Sequence, residues 1–208
     1  MAPTSKSAGN LSLLGGRACL DFVNTLDWRG TDSPVEYLHT CQDLIDWSRH
    51  ARTISGREAD LLSQAAVHRA ADGAALLSAA INLRETIHQL FCAIALGRPA
   101  PARGLAMFNR YLSETLRFSR IVPKASGYAW DVEIDPDSLD SILNPLVRSA
   151  ADLLVSKAVQ RVKRCGDPSC GWLFVDTSRN NSRRWCDMQD CGNRAKASRF
   201  YKKKSSSS

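Results

Sequence analysis

The sequence predicts a mainly α fold: a helical N-terminal domain with a small β-hairpin, followed by a compact four-cysteine module. Three observations carry that expectation. Apolar residues recur at three- and four-residue intervals through most of residues 10–154. The pattern shortens to β-rich runs over residues 118–134. Four of the seven cysteines fall between Cys165 and Cys191, in two pairs of equal spacing.

The helical elements follow in order. Arg17 to Leu26 suits a short first helix. Ser33-Pro34-Val35-Glu36 reads as a capping box with proline at the first helical position, opening a helix through Leu38, Cys41, Leu44 and Ile45. Ser55 and Glu58 repeat the box ahead of Leu61, Leu62 and Ala65. Gly73 precedes a long helix from Leu76 to Ala95, which Gly97 and Pro99 end. Another covers Gly104 to Leu116. Phe118 to Val122 and Tyr128 to Ile134 form the hairpin. Asp135-Pro136 starts a last helix, expected to run to about Val159 and to hand rigidly into the cysteine module. The division is therefore a helical domain over 1–160, the module over 161–204 and a disordered tail over 205–208.

With 44% hydrophobic and 24% charged residues the composition is that of a soluble globular protein. No apolar run reaches the roughly 18 residues of a membrane span, and the N-terminus lacks a signal-type apolar run. A cytoplasmic location without membrane contact is expected, and there paired cysteines point to metal more than to disulfides. Charge is uneven. Residues 161–204 hold 12 Lys/Arg against 4 Asp, whereas residues 1–160 are nearly balanced at 16 basic and 17 acidic. A basic C-terminal module suggests a polyanionic partner, nucleic acid first.

The module reads Cys165-x4-Cys170, 15 residues, then Cys186-x4-Cys191. Two such pairs supply the four tetrahedral ligands of one Zn²⁺ and close its coordination sphere, so the ion is structural. Gly166, Asp167, Pro168 and Ser169 suit the tight first loop. Gly171 and Gly192 follow the second cysteine of each pair, where a backbone N–H is expected to reach sulfur. Trp172 to Val175 reads as a strand, Asn180-Asn181-Ser182 as a turn, and residues 193–203 as a helix. That order of knuckle, hairpin, knuckle and helix is treble-clef-like. Cys19, Cys41 and Cys92 sit singly in apolar contexts and read as core residues.

Arg179, Arg183, Arg184, Asn193, Arg194, Lys196, Arg199, Lys202 and Lys203 are the candidate nucleic-acid contacts. Of these, Arg183, Arg184, Asn193 and Arg194 have the chemistry to read base edges. Five phosphate contacts would give a salt slope near about −4 to −5. The competing reading makes some of these arginines donors to the zinc-bound sulfurs. Two other partners compete with DNA: an acidic protein docked by the finger, or RNA stacked on Trp172, Phe174, Trp185 and Phe200.

Cys165 to Cys170, Trp172-Leu173-Phe174-Val175-Asp176, Ser182-Arg183-Arg184-Trp185-Cys186 and Cys191-Gly192-Asn193-Arg194 resemble the bacterial CGNR zinc finger. Upstream, Gly15-Gly16, Leu20-Asp21-Phe22-Val23-Asn24-Thr25, Asp43-Leu44-Ile45-Asp46-Trp47 and Leu83-Arg84-Glu85 resemble the ABATE domain fused to it. The resemblance implies a stress-induced bacterial transcription regulator whose finger binds DNA.

In the body, Asp21, Asn24 and Thr25 share a helix face, with Trp28 close behind. With Arg84 they form a candidate polar pocket for a small effector. The alternative is a buried hydrogen-bond network in which Asp21 pairs with Arg84 or another arginine and Asn24 bonds backbone. No metal-binding histidine pair, phosphate loop or nucleophile elbow occurs, and His39, His50, His68 and His88 lie on separate segments, so the chain reads as a non-enzyme. A homodimer would suit palindromic DNA sites, although no coiled-coil seam is visible.

Overall fold

The computed structural model describes residues 6–198. Six α-helices lie wholly within them, α1 (Ala18–Val23), α2 (Cys41–His50), α3 (Gly56–His68), α4 (Ala70–Ala95), α5 (Ala102–Leu116) and α6 (Asn144–Val155), and a further helical run occupies residues 193–198. Three two-stranded antiparallel sheets accompany them. They pair β1 (Leu26–Asp27) with β2 (Val35–Glu36), β3 (Ser119–Lys124) with β4 (Gly127–Val132), and β5 (Val162–Arg164) with β6 (Leu173–Val175). The protein is mainly α, as its periodicity predicts.

Helix α1 is short and central. Five of its six residues are buried, and it packs on α4, α6 and β6. Phe22 meets Trp47 of α2 with ring centroids 5.4 Å apart. Helix α4, about 39 Å long at 1.5 Å per residue, is the spine that α1, α2, α5 and β5 all contact.

Three expected elements differ. Ser33 to Glu36 opens no helix. Val35 and Glu36 form β2, and the helix starts at Cys41. Thr40 is the true cap: its Oγ1 accepts the Asp43 N–H at 3.1 Å while the Asp43 carboxylate accepts the Thr40 N–H at 2.8 Å. Glu36 is spent on Arg84 instead, accepting two hydrogen bonds of 2.6 Å. Gly73 lies inside α4, which begins at Ala70, and faces Cys41. The last helix is not continuous into the cysteine module. A 3-10 turn (Leu139–Leu143) precedes α6, which stops at Val155. Ser156 is extended at φ −89°, ψ 157°, and a second 3-10 turn (Lys157–Arg161) leads into β5.

The module's orientation is therefore set by packing, and the packing follows the two-residue period of a strand. All three residues of β6 are buried. Leu173 and Val175, with Val162 of β5, join the core of the helical body, whereas Phe174 and Trp172 join the cysteine cluster with Leu14 and Trp185. The apolar core thus crosses the boundary expected at residue 160.

Candidate metal centre and the joint that holds it

Cys165 and Cys170 sit at the turn between β5 and β6, where the Cys165 N–H donates to the Trp172 carbonyl at 2.8 Å. β6 pairs with β5, on the N-terminal side of the first knuckle; the sequence suggested a hairpin between the cysteine pairs. The chain then returns past Arg184, whose carbonyl accepts the Gly166 N–H at 2.8 Å, to Cys186. A π-helical turn (Met188–Gly192) presents Cys191, and residues 193–198 continue as helix.

All four cysteines are buried and free of disulfides. Their sulfurs lie within 4.8 Å of one another. Cys186 Sγ is 3.6 Å from both Cys170 Sγ and Cys191 Sγ. A tetrahedron with Zn–S bonds of ~2.3 Å has edges of about 3.8 Å, so the site has zinc dimensions, whereas a disulfide requires about 2 Å. Without an ion the four sulfurs cannot all carry charge. Bonds from the Cys170 and Cys186 thiols pull Cys165 down to about 2. The bond with Cys165 pushes Cys170 and Cys186 up, and burial raises Cys191 to about 11. Four thiolates this close require a dication. The centre holds one structural zinc, whose four sulfur ligands leave no open position for catalysis.

Donors to the sulfurs are not the expected glycines. The Gly192 N–H goes to the Asp187 carbonyl at 3.0 Å. A Cβ at 192 would lie 2.6 Å from Sδ of the exposed Met188 side chain, which can swing aside. The sulfur donors are the Asp167 and Cys186 N–H groups on Cys165, the Trp172 N–H on Cys170 and an Arg194 N–H on Cys191 at 3.0 Å.

The basic candidates divide into two sets. Arg194 also bonds Asp167 at 2.9 Å, pairs with Asp190 and covers the Trp28 ring at 4.7 Å. Arg183 donates to the Trp185 carbonyl at 3.0 Å and to the Cys186 carbonyl, with its guanidinium 4.3 Å from the Phe174 ring centre. Asn193 donates to the Gln189 carbonyl at 2.8 Å. Arg183 and Arg194 brace the zinc site, whereas Asn193 is exposed and bonds only within its own turn. Arg179, Arg184 and Lys196 are exposed, as is Arg164 at the end of β5, which sequence reasoning missed. Arg199, Phe200, Lys202 and Lys203 and the tail at 205–208 lie outside the described residues.

Asp21, Asn24, Thr25 and Arg84 find partners within the chain. Asp21 accepts the Gly15 N–H at 2.7 Å, and burial raises its carboxyl to about 6. Thr25 bonds the Phe22 carbonyl. Arg84 pairs with Glu36, Glu85 and Thr25, so the suggested Asp21–Arg84 pair is replaced by Arg84–Glu36. Asn24 donates to the Leu173 carbonyl and accepts the Leu173 N–H, each at 3.0 Å. Arg164 and Leu173 face each other beside the hydrogen-bonded Cys165–Trp172 pair, which turns the Leu173 amide groups to the outer edge of β6. Asn24 closes that edge, and the Gly15 carbonyl does the same for the Val175 N–H at 2.9 Å.

A loop completes the joint. The Arg29 and Gly30 N–H groups donate to the Cys170 and Ser169 carbonyls, each at 3.2 Å. The Arg29 side chain pairs with Glu85 at 2.8 and 2.9 Å. This ion chain runs from the knuckle through Arg29, Glu85 and Arg84 to Glu36. No signal in the sequence marks Arg29 or Glu36 for this role.

The chain is thus a helical body joined to a zinc finger built on four cysteines. The chain belongs to the ABATE family, described as "Putative stress-induced transcription regulator", which matches residues 16–157. Residues 161–204 match the CGNR zinc finger. Neither family is an enzyme family by description. No curated protein matches the chain. Among the described residues no helix is long and apolar enough to cross a membrane.

Proposed function

We propose that the protein is a DNA-binding transcription regulator whose zinc finger grips phosphates with the exposed cations Arg164, Arg179, Arg184 and Lys196. The observation that carries this reading is the division of labour among the basic residues. Arg183 and Arg194 are consumed in bracing the thiolates, and the exposed cations are left facing solvent on a finger whose Trp172 and Phe174 are buried. Buried aromatics favour backbone contact with a duplex over stacking of RNA bases along the sheet. The protein acts without catalysis and in the cytoplasm in this reading. A homodimer would match a palindromic site. A small effector would control the finger by binding one body–finger arrangement more tightly than another, with Asp21, Asn24, Thr25, Trp28 and Arg84 lying along the joint it must alter.

The test is a titration of genomic DNA fragments at rising salt with zinc-loaded protein. Four phosphate contacts give a slope of log K against log salt near about −3.6, steeper if the last residues of the chain add contacts. A flat response, or binding that survives removal of zinc, refutes the reading.

A further inference from the structure

An open groove of about 620 Å³ runs along the finger where it meets the body. Trp28 comes from the body; Gly166, Arg184, Trp185, Arg194 and Ala197 come from the finger. Its volume falls in the range of about 300–1,000 Å³ common to ligand sites, and a seam between two modules is a usual place for one. Glycine at 166 lets the first knuckle lie close to Trp185: a Cβ there would stand 3.0 Å from the Arg184 carbonyl and 3.7 Å from Trp185 Nε1.

The lining has a definite chemistry. Trp185 offers a half-buried indole, and Trp28 a second one whose ring Arg194 already covers. Trp28 forms the body-side wall of the groove. Its φ of 54° is left-handed, its N–H donates to Asp27 Oδ1 at 2.8 Å, and the Arg194 guanidinium lies over its ring. Arg194 and Asp167 neutralise each other across the groove wall at 2.8 Å. Arg184 is different. It is exposed, rests only loosely over Trp185 at 5.3 Å from the ring centre, and no carboxylate pairs with it among the described residues. The groove therefore combines aromatic walls with one uncompensated cation. An acidic peptide would satisfy Arg184 but leave the Trp185 indole unused, and a neutral apolar segment would leave the cation without a counter-charge.

We propose that this groove binds one nucleotide, with its base against the Trp185 indole and its phosphate on Arg184. The same chemistry serves a free nucleotide or an unpaired nucleotide of a strand held by the finger. Only the second form rests on the DNA-binding reading above.

Equilibrium dialysis of the zinc-loaded full chain tests it. The probes are 5′-mononucleotides, the matching nucleosides, a single-stranded oligonucleotide and its duplex. Either a free nucleotide or the single strand binds. Trp185→Ala lowers that affinity about tenfold or more, the order expected from losing one stacking surface. Arg184→Ala removes the advantage of nucleotide over nucleoside. Because Trp185 abuts the cysteine cluster, Ala197→Trp provides a second variant. It fills the groove from an exposed helical position and abolishes binding with zinc content and melting temperature unchanged. The proposal falls if neither nucleotides nor single strand bind, or if Trp185→Ala and Ala197→Trp both bind within about twofold of the parent. Duplex binding that persists in that case leaves the DNA-binding reading standing; its absence removes both.

Discussion

Replacing Asn24 with alanine removes both hydrogen bonds that close the outer edge of β6. Asn24 is 2% exposed and Leu173 is fully buried, so water has little access to replace the lost partner. The Leu173 N–H and C=O are left unpaired together. Each orphaned buried group costs about 1–3 kcal/mol, and partial relaxation of the edge brings the pair to about 3 kcal/mol. For a chain of this size that lowers the melting temperature by about 6–12 °C. The assay is thermal and denaturant unfolding of zinc-loaded protein, followed by far-UV circular dichroism for the helices and by zinc release to a colorimetric chelator for the finger. Both signals shift together, because β6 belongs to the core of the body. Asn24→Asp does not rescue, since a carboxylate oxygen would face the Leu173 carbonyl. A loss below about 1 kcal/mol, within the range of a single well-hydrated hydrogen bond, refutes the reasoning. So does a finger that melts by itself while the helices keep their original midpoint.

Asp21→Asn stabilises the protein at neutral pH. Burial raises the Asp21 carboxyl from 3.8 to about 6, so the folded state holds a proton that the unfolded state releases between those values. The stability it supports is complete below about pH 3.8 and declines as pH rises to about 6, by at most about 3 kcal/mol. The variant's gain should therefore be greatest at pH 7 and vanish near pH 4 in paired urea titrations; a pH-independent difference refutes the assignment. Gly30→Ala would place a Cβ 1.8 Å from the Pro168 carbonyl oxygen. The knuckle must move away, costing about 1–3 kcal/mol and speeding zinc release to chelator; unchanged release would show that the Gly30–Ser169 contact is dispensable. Arg194→Ala removes a donor to Cys191 Sγ and the partner of Asp167, and zinc affinity in competition with a chelator falls about 10–100-fold. Weakened DNA binding with unchanged zinc affinity would instead place Arg194 on the DNA.

Local chemistry was read correctly where it has no competitor. Ser55 and Glu58 form the capping box that their spacing predicts, with the Glu58 N–H on Ser55 Oγ at 3.2 Å. The hairpin at β3–β4 forms between the two β-rich runs. Misreadings fell where a distant partner outbid a local one. Glu36 has the spacing of a capping glutamate, but Arg84, 48 residues away, takes its carboxylate, and β1 takes Val35. Arg183 and Arg194 are a different case: the sequence left open whether they face nucleic acid or serve the zinc site, and the folded finger shows the carbonyls, sulfur and aromatic rings that they meet.

The spacing of Cys165, Cys170, Cys186 and Cys191 determined the zinc site by itself, because four thiolates in two short loops have few other ways to be buried and satisfied. Helical periodicity likewise determined the class of the body. The way body and finger are joined was decided only by the tertiary structure. Asn24 and Leu173 are 149 residues apart, and each alone is an ordinary buried residue. Their pairing exists because β6 leaves one edge open inside a core where an unpaired amide is too costly to keep.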